Sequence, residues 1–193
     1  MNIVLCLPGC NYSGKYLMSI VDLIGGLIKD GHKFCILNAF SPYIHEMRQD
    51  VVDQVFKIEE QFKYDYMLWI DHDNVFSYAD FKRLLSLDKD VISGIYRAVS
   101  GVLCSGYMVD GLTVNIKDLK SDEPFEVDYT GFGFTLIKKG VFEKMESPYF
   151  VKERAKERFF IDDIAFGIKA KEAGFNIMID PMTKIGHEKK LVI

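Results

Sequence analysis

Short apolar runs alternate with stretches of helical period along the first half of this chain. Ile3 to Leu7, Phe34 to Leu37 and Tyr66 to Ile70 are runs of strand length, and Val91 to Tyr96, opened by the apolar pair Val91-Ile92, reads as a fourth strand. A continuous apolar run such as Tyr66-Met67-Leu68-Trp69-Ile70 is too short for a helix and fits a strand buried on both faces. Between the first two runs, Leu17, Ile20, Val21, Ile24, Leu27 and Ile28 keep a spacing near 3.6, and Gly31 is a natural stop. Gly25-Gly26 weakens that helix and marks a place of close packing. Ser41-Pro42 reads as N-cap and first residue of the next helix, with Ile44, Met47, Val51, Val52 and Val55 as its buried stripe. Ser77 followed by Asp80 predicts a capping box for a short helix docked by Phe81, Leu84 and Leu85. Strand, helix and strand in this order imply parallel pairs with right-handed crossovers.

After Ala98 the pattern changes. Val102-Leu103, Tyr107 to Val109, Leu112 to Ile116 and Phe125 to Val127 are β-rich and separated by glycine and polar residues, as antiparallel strands are. Gly131-Phe132-Gly133 leads into a further strand over Phe134 to Ile137; glycine there allows close approach to a ligand or a bulge. Val141, Phe142 and Met145 predict a short helix. Asp162-Asp163 open another, with Ile164, Ala165 and Ile168 inward and Gly174 at its end. Phe175 to Ile179 is the last strand. The expected fold class is α/β in one domain. Its N-terminal half, about 1–97, holds a mostly parallel sheet with helices on both faces, and about 98–193 adds a smaller antiparallel portion.

Composition narrows the function. The chain has 193 residues, 49% hydrophobic, enough for a substantial core, and a net charge of −4 argues against binding nucleic acid through bulk charge. Cys6, Cys10, Cys35 and Cys104 form no C-x-x-C pair, so free thiols in a reducing compartment are expected. The N-terminus reads as a strand and not as a leader, and no apolar stretch has the length of a membrane span. A cytoplasmic location is the expectation, that of the host if the source is viral.

The candidate chemistry begins at Asp71-His72-Asp73, at the carboxyl end of a buried strand, where open α/β sheets place ligands. In an extended segment residues i and i+2 share a side. Asp71 and Asp73 would then present hard oxygen ligands to Mg²⁺ or Mn²⁺, with substrate phosphates in the same shell. His72 between them points away and reads as packing. Asp88-Lys89-Asp90 precedes an apolar run instead of following one, and reads as a solvated turn. The loop Pro8 to Gly14 matches neither G-x-G-x-x-G nor G-K-[ST], leaving an ordinary turn and the wall of a nucleotide-base pocket both open. Arg48 and Asp50 leave the buried stripe of their helix, as surface residues do, yet lie where they would approach a nucleotide. Lys152, Arg154, Lys156 and Arg158 read as a solvated loop or as a basic lid over a diphosphate.

Taken in order, Asp71-x-Asp73 after an apolar strand, Gly131-Phe132-Gly133, Asp162-Asp163-Ile164-Ala165-Phe166, and Gly186-His187 resemble a GT-A glycosyltransferase. The likeness is greatest to the compact family 2-like members of bacteria, phages and large viruses. The resemblance implies a nucleotide-diphosphate sugar as donor and a divalent metal, Mn²⁺ or Mg²⁺, held by Asp71, Asp73 and His187. It implies Asp163, or Asp162, as the base toward an acceptor hydroxyl of a glycan, lipid or protein. Pro8, Gly9, Arg48, Gly131 and Gly133 join Asp71 and Asp73 in the donor site. Asp162 stands where the family usually has Glu, which leaves open which carboxylate of the pair acts. Attack from the face opposite the diphosphate would invert configuration. The rivals are a sugar-phosphate nucleotidyltransferase and a non-catalytic domain that binds nucleotide-sugars or glycans.

Overall fold

The apolar runs pair into one sheet whose carboxyl rim gathers segments distant in the chain. A computed structural model describes residues 1–151, 153–155, 158–160 and 162–188. In chain order the elements begin with β1 (Asn2–Cys6), α1 (Gly14–Lys29), β2 (Lys33–Leu37), α2 (Ile44–Ile58), β3 (Tyr66–Ile70), β4 (Asn74–Val75), α3 (Tyr78–Ser86) and β5 (Val91–Ile95). There follow β6 (Ser105–Val109), β7 (Leu112–Asn115), β8 (Phe125–Val127), β9 (Tyr129–Thr130), β10 (Phe134–Lys138) and α4 (Val141–Lys144). The last are β11 (Glu153–Ala155), β12 (Arg158–Phe160), α5 (Asp162–Glu172), β13 (Ile177–Lys184) and β14 (Gly186–His187).

The main sheet has the order β2-β1-β3-β10-β5-β13-β8. β2, β1 and β3 are parallel, as are β5 and β13, while β10 runs antiparallel between β3 and β5. This insertion matters for the site. Because β10 runs backwards, its first residue, Phe134, lies opposite Ile70, the last residue of β3. The Gly131–Gly133 segment is thereby delivered to the point where Asp71 leaves the sheet. At the same rim Lys184 pairs with Ile95, and His187 of β14 pairs with Asn74 of β4.

Alternation along the strands divides the core. Ile3, Leu5, Leu68, Ile70, Ile92 and Leu136 pack with Ile20, Leu23 and Leu27 of α1 and Phe81 and Leu84 of α3. Val4, Cys6, Met67, Trp69, Ile137 and Ile179 pack with Val51, Val52 and Val55 of α2 and Phe166 and Ala170 of α5. Trp69 is fully buried, with Phe132 and Phe150 edge-on or tilted at 5.3 and 5.5 Å. Burying both faces of a sheet under helices requires the unbroken apolar runs seen in β1 and β3.

Several local expectations are corrected. The buried line of α1 is Tyr16, Ser19, Ile20, Leu23 and Leu27, one residue round from the expected stripe, and Leu17, Val21 and Ile28 are exposed. The reason is contact with α3: a Cβ on Gly26 would lie 2.1 Å from the Tyr78 ring, so that side of α1 must face α3. Ser41-Pro42 does not open α2. The N-cap is Tyr43, without a side-chain cap, and Ser41 accepts a hydrogen bond from the Tyr43 amide in the preceding turn. The Ser77–Asp80 capping box is present. β13 continues past Ile179 through a bulge at Asp180, whose buried carboxylate accepts hydrogen bonds from Arg83 and Thr183. Asp88-Lys89-Asp90 is exposed, as expected of a turn. Val102-Leu103 supplies only the bridge from Leu103 to Arg97. Lys152 and Lys156 of the basic segment, and the side chains of Arg154 and Arg158, lie outside the described residues. The four cysteines are free. Among the described residues no helix is long and apolar enough to cross a membrane.

Candidate active site

Residue parity explains the first contact of the site. Met67 and Trp69 face α2, so Asp71, next on that side, also faces α2. There it meets Arg48, whose Nη2 donates to both Asp71 carboxylate oxygens at 3.0 and 2.9 Å. The other arm, Nη1, donates to Asp162 at the start of α5. Arg48 is only 4% exposed, and its guanidinium carbon lies 4.8 Å from the centroid of the Phe132 ring. It therefore belongs to the interior and not to the surface side of α2. Burial opposes its charge, but Asp71, Asp162 and Asp163 together hold its pKa above the ordinary value. A planar fork suits this duty, because it can satisfy carboxylates from two directions at once.

Asp163 differs from its neighbour. Asp162 is engaged by Arg48, whereas Asp163 accepts only the Ile164 amide, at 2.9 Å, among the hydrogen bonds described. Burial first, and Asp162 second, push the Asp163 carboxyl up to about 7, against smaller opposing effects of Arg48 and the Ile164 amide. Adjacent carboxyls with different surroundings divide into an ion-paired anchor and a group that titrates near neutrality. Tyr129 lies close enough that burial and Asp163 raise its phenol to about 12.

Asp73 turns elsewhere. The extended path assumed for Asp71-His72-Asp73 ends at Ile70: Asp71 donates its amide to the Gly133 carbonyl, and the Asn74 amide then closes a turn onto the Asp71 carbonyl at 3.2 Å. The turn takes Asp73 to His187, with Oδ2 3.1 Å from Nε2. Of the expected metal set, Asp73 and His187 are together and Asp71 is held by Arg48 instead. Among the described residues no group of three or more His, Cys, Asp and Glu is gathered around a metal position.

The pair that does meet still fits a metal edge. His187 Nδ1 lies 2.8 Å from the Arg97 carbonyl. A carbonyl only accepts, so Nδ1 donates to it, while Nε2, which hydrogen-bonds Asp73 here, would offer a cation its lone pair once its own proton is lost. A backbone carbonyl behind the far nitrogen is the usual support of a metal-ligating histidine. A nitrogen and an oxygen 3.1 Å apart are close enough to share one small divalent cation. A cation held there would take most of its ligands from phosphate oxygens and water, as Mg²⁺ and Mn²⁺ with few protein ligands do.

The β1–α1 loop reaches the same rim. Gly9 has φ +125°, and a Cβ there would lie 2.9 Å from Nδ1 of His72, so the loop rests against an exposed His72. Pro8 beside it is buried. The Tyr12 hydroxyl and the Asn38 amide each donate to the Leu7 and Gly9 carbonyls and fix the loop. Ser13 caps α1 by accepting from the Tyr16 amide and also bonds Glu188, whose own amide donates to the Asp73 carbonyl at 2.7 Å.

Gly131 and Gly133 serve Tyr96. A Cβ on Gly131 would stand 2.0 Å from the Tyr96 hydroxyl, and one on Gly133 2.6 Å from the ring and 2.8 Å from the Asn74 amide oxygen. The Gly133 amide donates to that hydroxyl at 3.0 Å. The close approach anticipated at these glycines is taken up by a buried tyrosine. Gly133→Ala is accordingly expected to cost about 1–3 kcal/mol by overpacking, seen as a lower urea midpoint. An unchanged midpoint would mean that Tyr96 has room to move. Tyr96, Ser13 and Glu188 were not singled out from sequence, although Ser13 lies in the Pro8 to Gly14 loop and Glu188 is adjacent to His187.

No family model matches the chain, and no curated protein matches it. Solved structures do. A197 from STIV aligns with a TM-score of 0.63 at 18% identity, over 100% of this chain and 97% of A197. Drosophila β1,4-galactosyltransferase 7, as the D211N mutant in complex with manganese, UDP-Gal and xylobiose, aligns with a TM-score of 0.56 at 12% identity, over 98% of this chain and 71% of the other. The expected architecture is thus confirmed: the chain has the GT-A glycosyltransferase fold, a mixed sheet mostly parallel in its N-terminal half with a small antiparallel sheet beside it.

Proposed function

We propose that this chain is a metal-assisted, inverting glycosyltransferase that moves a sugar from a nucleotide-diphosphate sugar to an acceptor hydroxyl. The observation that carries the reading is Asp163, a carboxyl raised to about 7, beside an Asp162 already engaged by Arg48 on a GT-A fold. A general base works best when its pKa lies near the working pH. Asp163 takes the acceptor hydroxyl proton as that oxygen bonds to the anomeric carbon. The bond from this carbon to the diphosphate oxygen breaks, and its electron pair leaves with the nucleoside diphosphate.

Asp73 and His187 would hold Mn²⁺ or Mg²⁺, which when bound supplies Lewis-acid stabilisation of the leaving diphosphate. Asp71, through Arg48, fixes where α5 presents Asp163. Pro8, Gly9 and Tyr12 form the nucleoside side of the site. Tyr12 stacks on Tyr16 at 4.9 Å and is 42% exposed, so its outer face is available to a base. UDP-galactose, the donor bound by the Drosophila neighbour, is the first to try.

The test is release of nucleoside diphosphate from a panel of nucleotide-sugars with Mn²⁺ present. Release that needs Asp163 is expected, and silence across the panel would remove the reading. Removing the metal ligands provides a separate check. Asp73→Asn and His187→Ala should each weaken Mn²⁺ binding by at least about tenfold, measured by titration with nucleoside diphosphate present. Unchanged Mn²⁺ affinity in both variants would show that the cation, if used, sits elsewhere.

A further inference from the structure

On the side of Asp73 away from the β1 loop lies a cavity of about 520 Å³. Ile95, Leu103, Leu119 and Ile185 give it apolar walls, and Arg97, Lys184 and His187 line it with cationic or polar groups. Its construction follows from the sheet rim. Lys184 pairs with Ile95, the Ile185 amide donates to the Ile95 carbonyl at 2.8 Å, and the Leu103–Arg97 bridge closes the opposite wall. A volume of this size is in the range of small-molecule sites.

The charges are the informative part. Arg83, Lys138, Lys139 and Lys171 each meet a carboxylate, and Arg48 meets two. Among the described residues Arg97 and Lys184, like several exposed lysines, have no acidic partner, but these two line one cavity. The Arg97 guanidinium is oriented by the carbonyls of Gly101 and Lys117, which leave its charge uncompensated. In a chain of net charge −4, two cations left unneutralised on one apolar-walled cavity select an anionic ligand with an apolar body.

The cavity also touches the proposed chemistry. The Tyr96 ring lines it and lies edge-on to His187 at 5.1 Å, while the Tyr96 hydroxyl accepts from the Gly133 amide beside Asp71. Sheet order separates it from the nucleoside side, since β1 lies beyond β3 and the cavity lies at β5 and β13. The geometry points to an acceptor subsite for a phosphate monoester that carries, besides the hydroxyl it offers to Asp163, an apolar chain or ring. Its phosphate meets Arg97 and Lys184, and its body lies against Leu103 and Leu119. This assignment rests on the glycosyl-transfer reading above.

Octyl phosphate, octyl glucoside and inorganic phosphate, titrated into the whole chain by calorimetry, test it. Octyl phosphate should bind at least about tenfold more tightly than either of the others, one decade for each missing half of the ligand. Lys184→Glu, an exposed charge reversal, and Leu119→Trp, which fills the apolar end, should each reduce that affinity about tenfold, with melting curves confirming that both fold. Equal binding of inorganic phosphate, or parental affinity in both variants, overturns the subsite. Retention on vesicles containing phosphatidic acid, lost in Leu119→Trp, assigns the phosphate to a lipid; binding of free octyl phosphate alone assigns it to a soluble ester. Acceptor-independent donor hydrolysis separates the two readings. Hydrolysis without octyl phosphate binding sinks the subsite alone, and octyl phosphate binding with no hydrolysis of any donor overturns its assignment to an acceptor.

Discussion

Asp163→Asn is expected to lower transfer by about a thousandfold, the middle of the range for a general base, while the protein stays folded. Asn keeps the size of the side chain and an oxygen able to accept the Ile164 amide, so the start of α5 has no cause to move. What it loses is the capacity to take a proton. The parent should show kcat/KM rising with pH through about 7 and levelling above it, because the ionised carboxylate is the active form. A residual rate in Asp163→Asn that keeps the parental pH profile would assign the base elsewhere, Asp162 first.

The same substitution carries an opposite signature in stability, which separates loss of the base from loss of the fold. Burial makes Asp163 hold its proton more tightly in the folded chain than in the unfolded one, where its value is near 3.8. The folded state is therefore favoured most below that value, and the advantage is lost as pH rises to about 7. Above it the folded parent bears a half-buried, ionised carboxylate beside Asp162. Asp163→Asn should melt with the parent near pH 4 and above it at pH 8. A variant less stable than the parent at pH 8 would mean that Asp163 is a structural anion.

Much of this was legible in the chain because strands buried on both faces must be written as unbroken apolar runs. β1 and β3 follow from that rule, and so does the placing of Asp71 at a sheet rim; β5, with Ser93-Gly94 in its middle, follows it only in part. The face of α1 was not legible. Leu17, Val21 and Ile28 repeat as regularly as Ile20, Leu23 and Leu27, and only the Gly26–Tyr78 contact with α3 decides between them. The Asp71–Asp73 geometry failed for a related reason. Parity holds while a strand is extended, and the bond from the Asn74 amide to the Asp71 carbonyl ends it. Gly131 and Gly133 did announce a close approach, but glycine does not say to what. Arg48 was the hardest to read. A charge next to a buried stripe is ordinarily solvated, and its partners lie 23 and 114 residues away.

Arg48→Met should be the most destabilising single change at the site. The ion pairs are deep: side-chain exposure is 5% for Arg48, 19% for Asp71 and 6% for Asp162. A methionine fills the volume and keeps contact with the Phe132 ring but leaves both carboxylates without their cation. Breaking a buried pair from one side costs about 3–5 kcal/mol, a fall of roughly 10 °C in melting temperature for a domain of this size. Arg48→Lys should fall between, since a single ammonium cannot fork between carboxylates on two elements. The loss is electrostatic and not a matter of packing, so adding Asp71→Asn and Asp162→Asn to Arg48→Met should restore much of the stability. The triple variant would remain inactive, because α5 is then no longer tied to β3 by a charged fork. Urea midpoints of the four proteins decide the matter. If the triple variant is as unstable as Arg48→Met alone, Arg48 supports the core by its bulk and hydrogen bonds, and its charge is incidental to the fold.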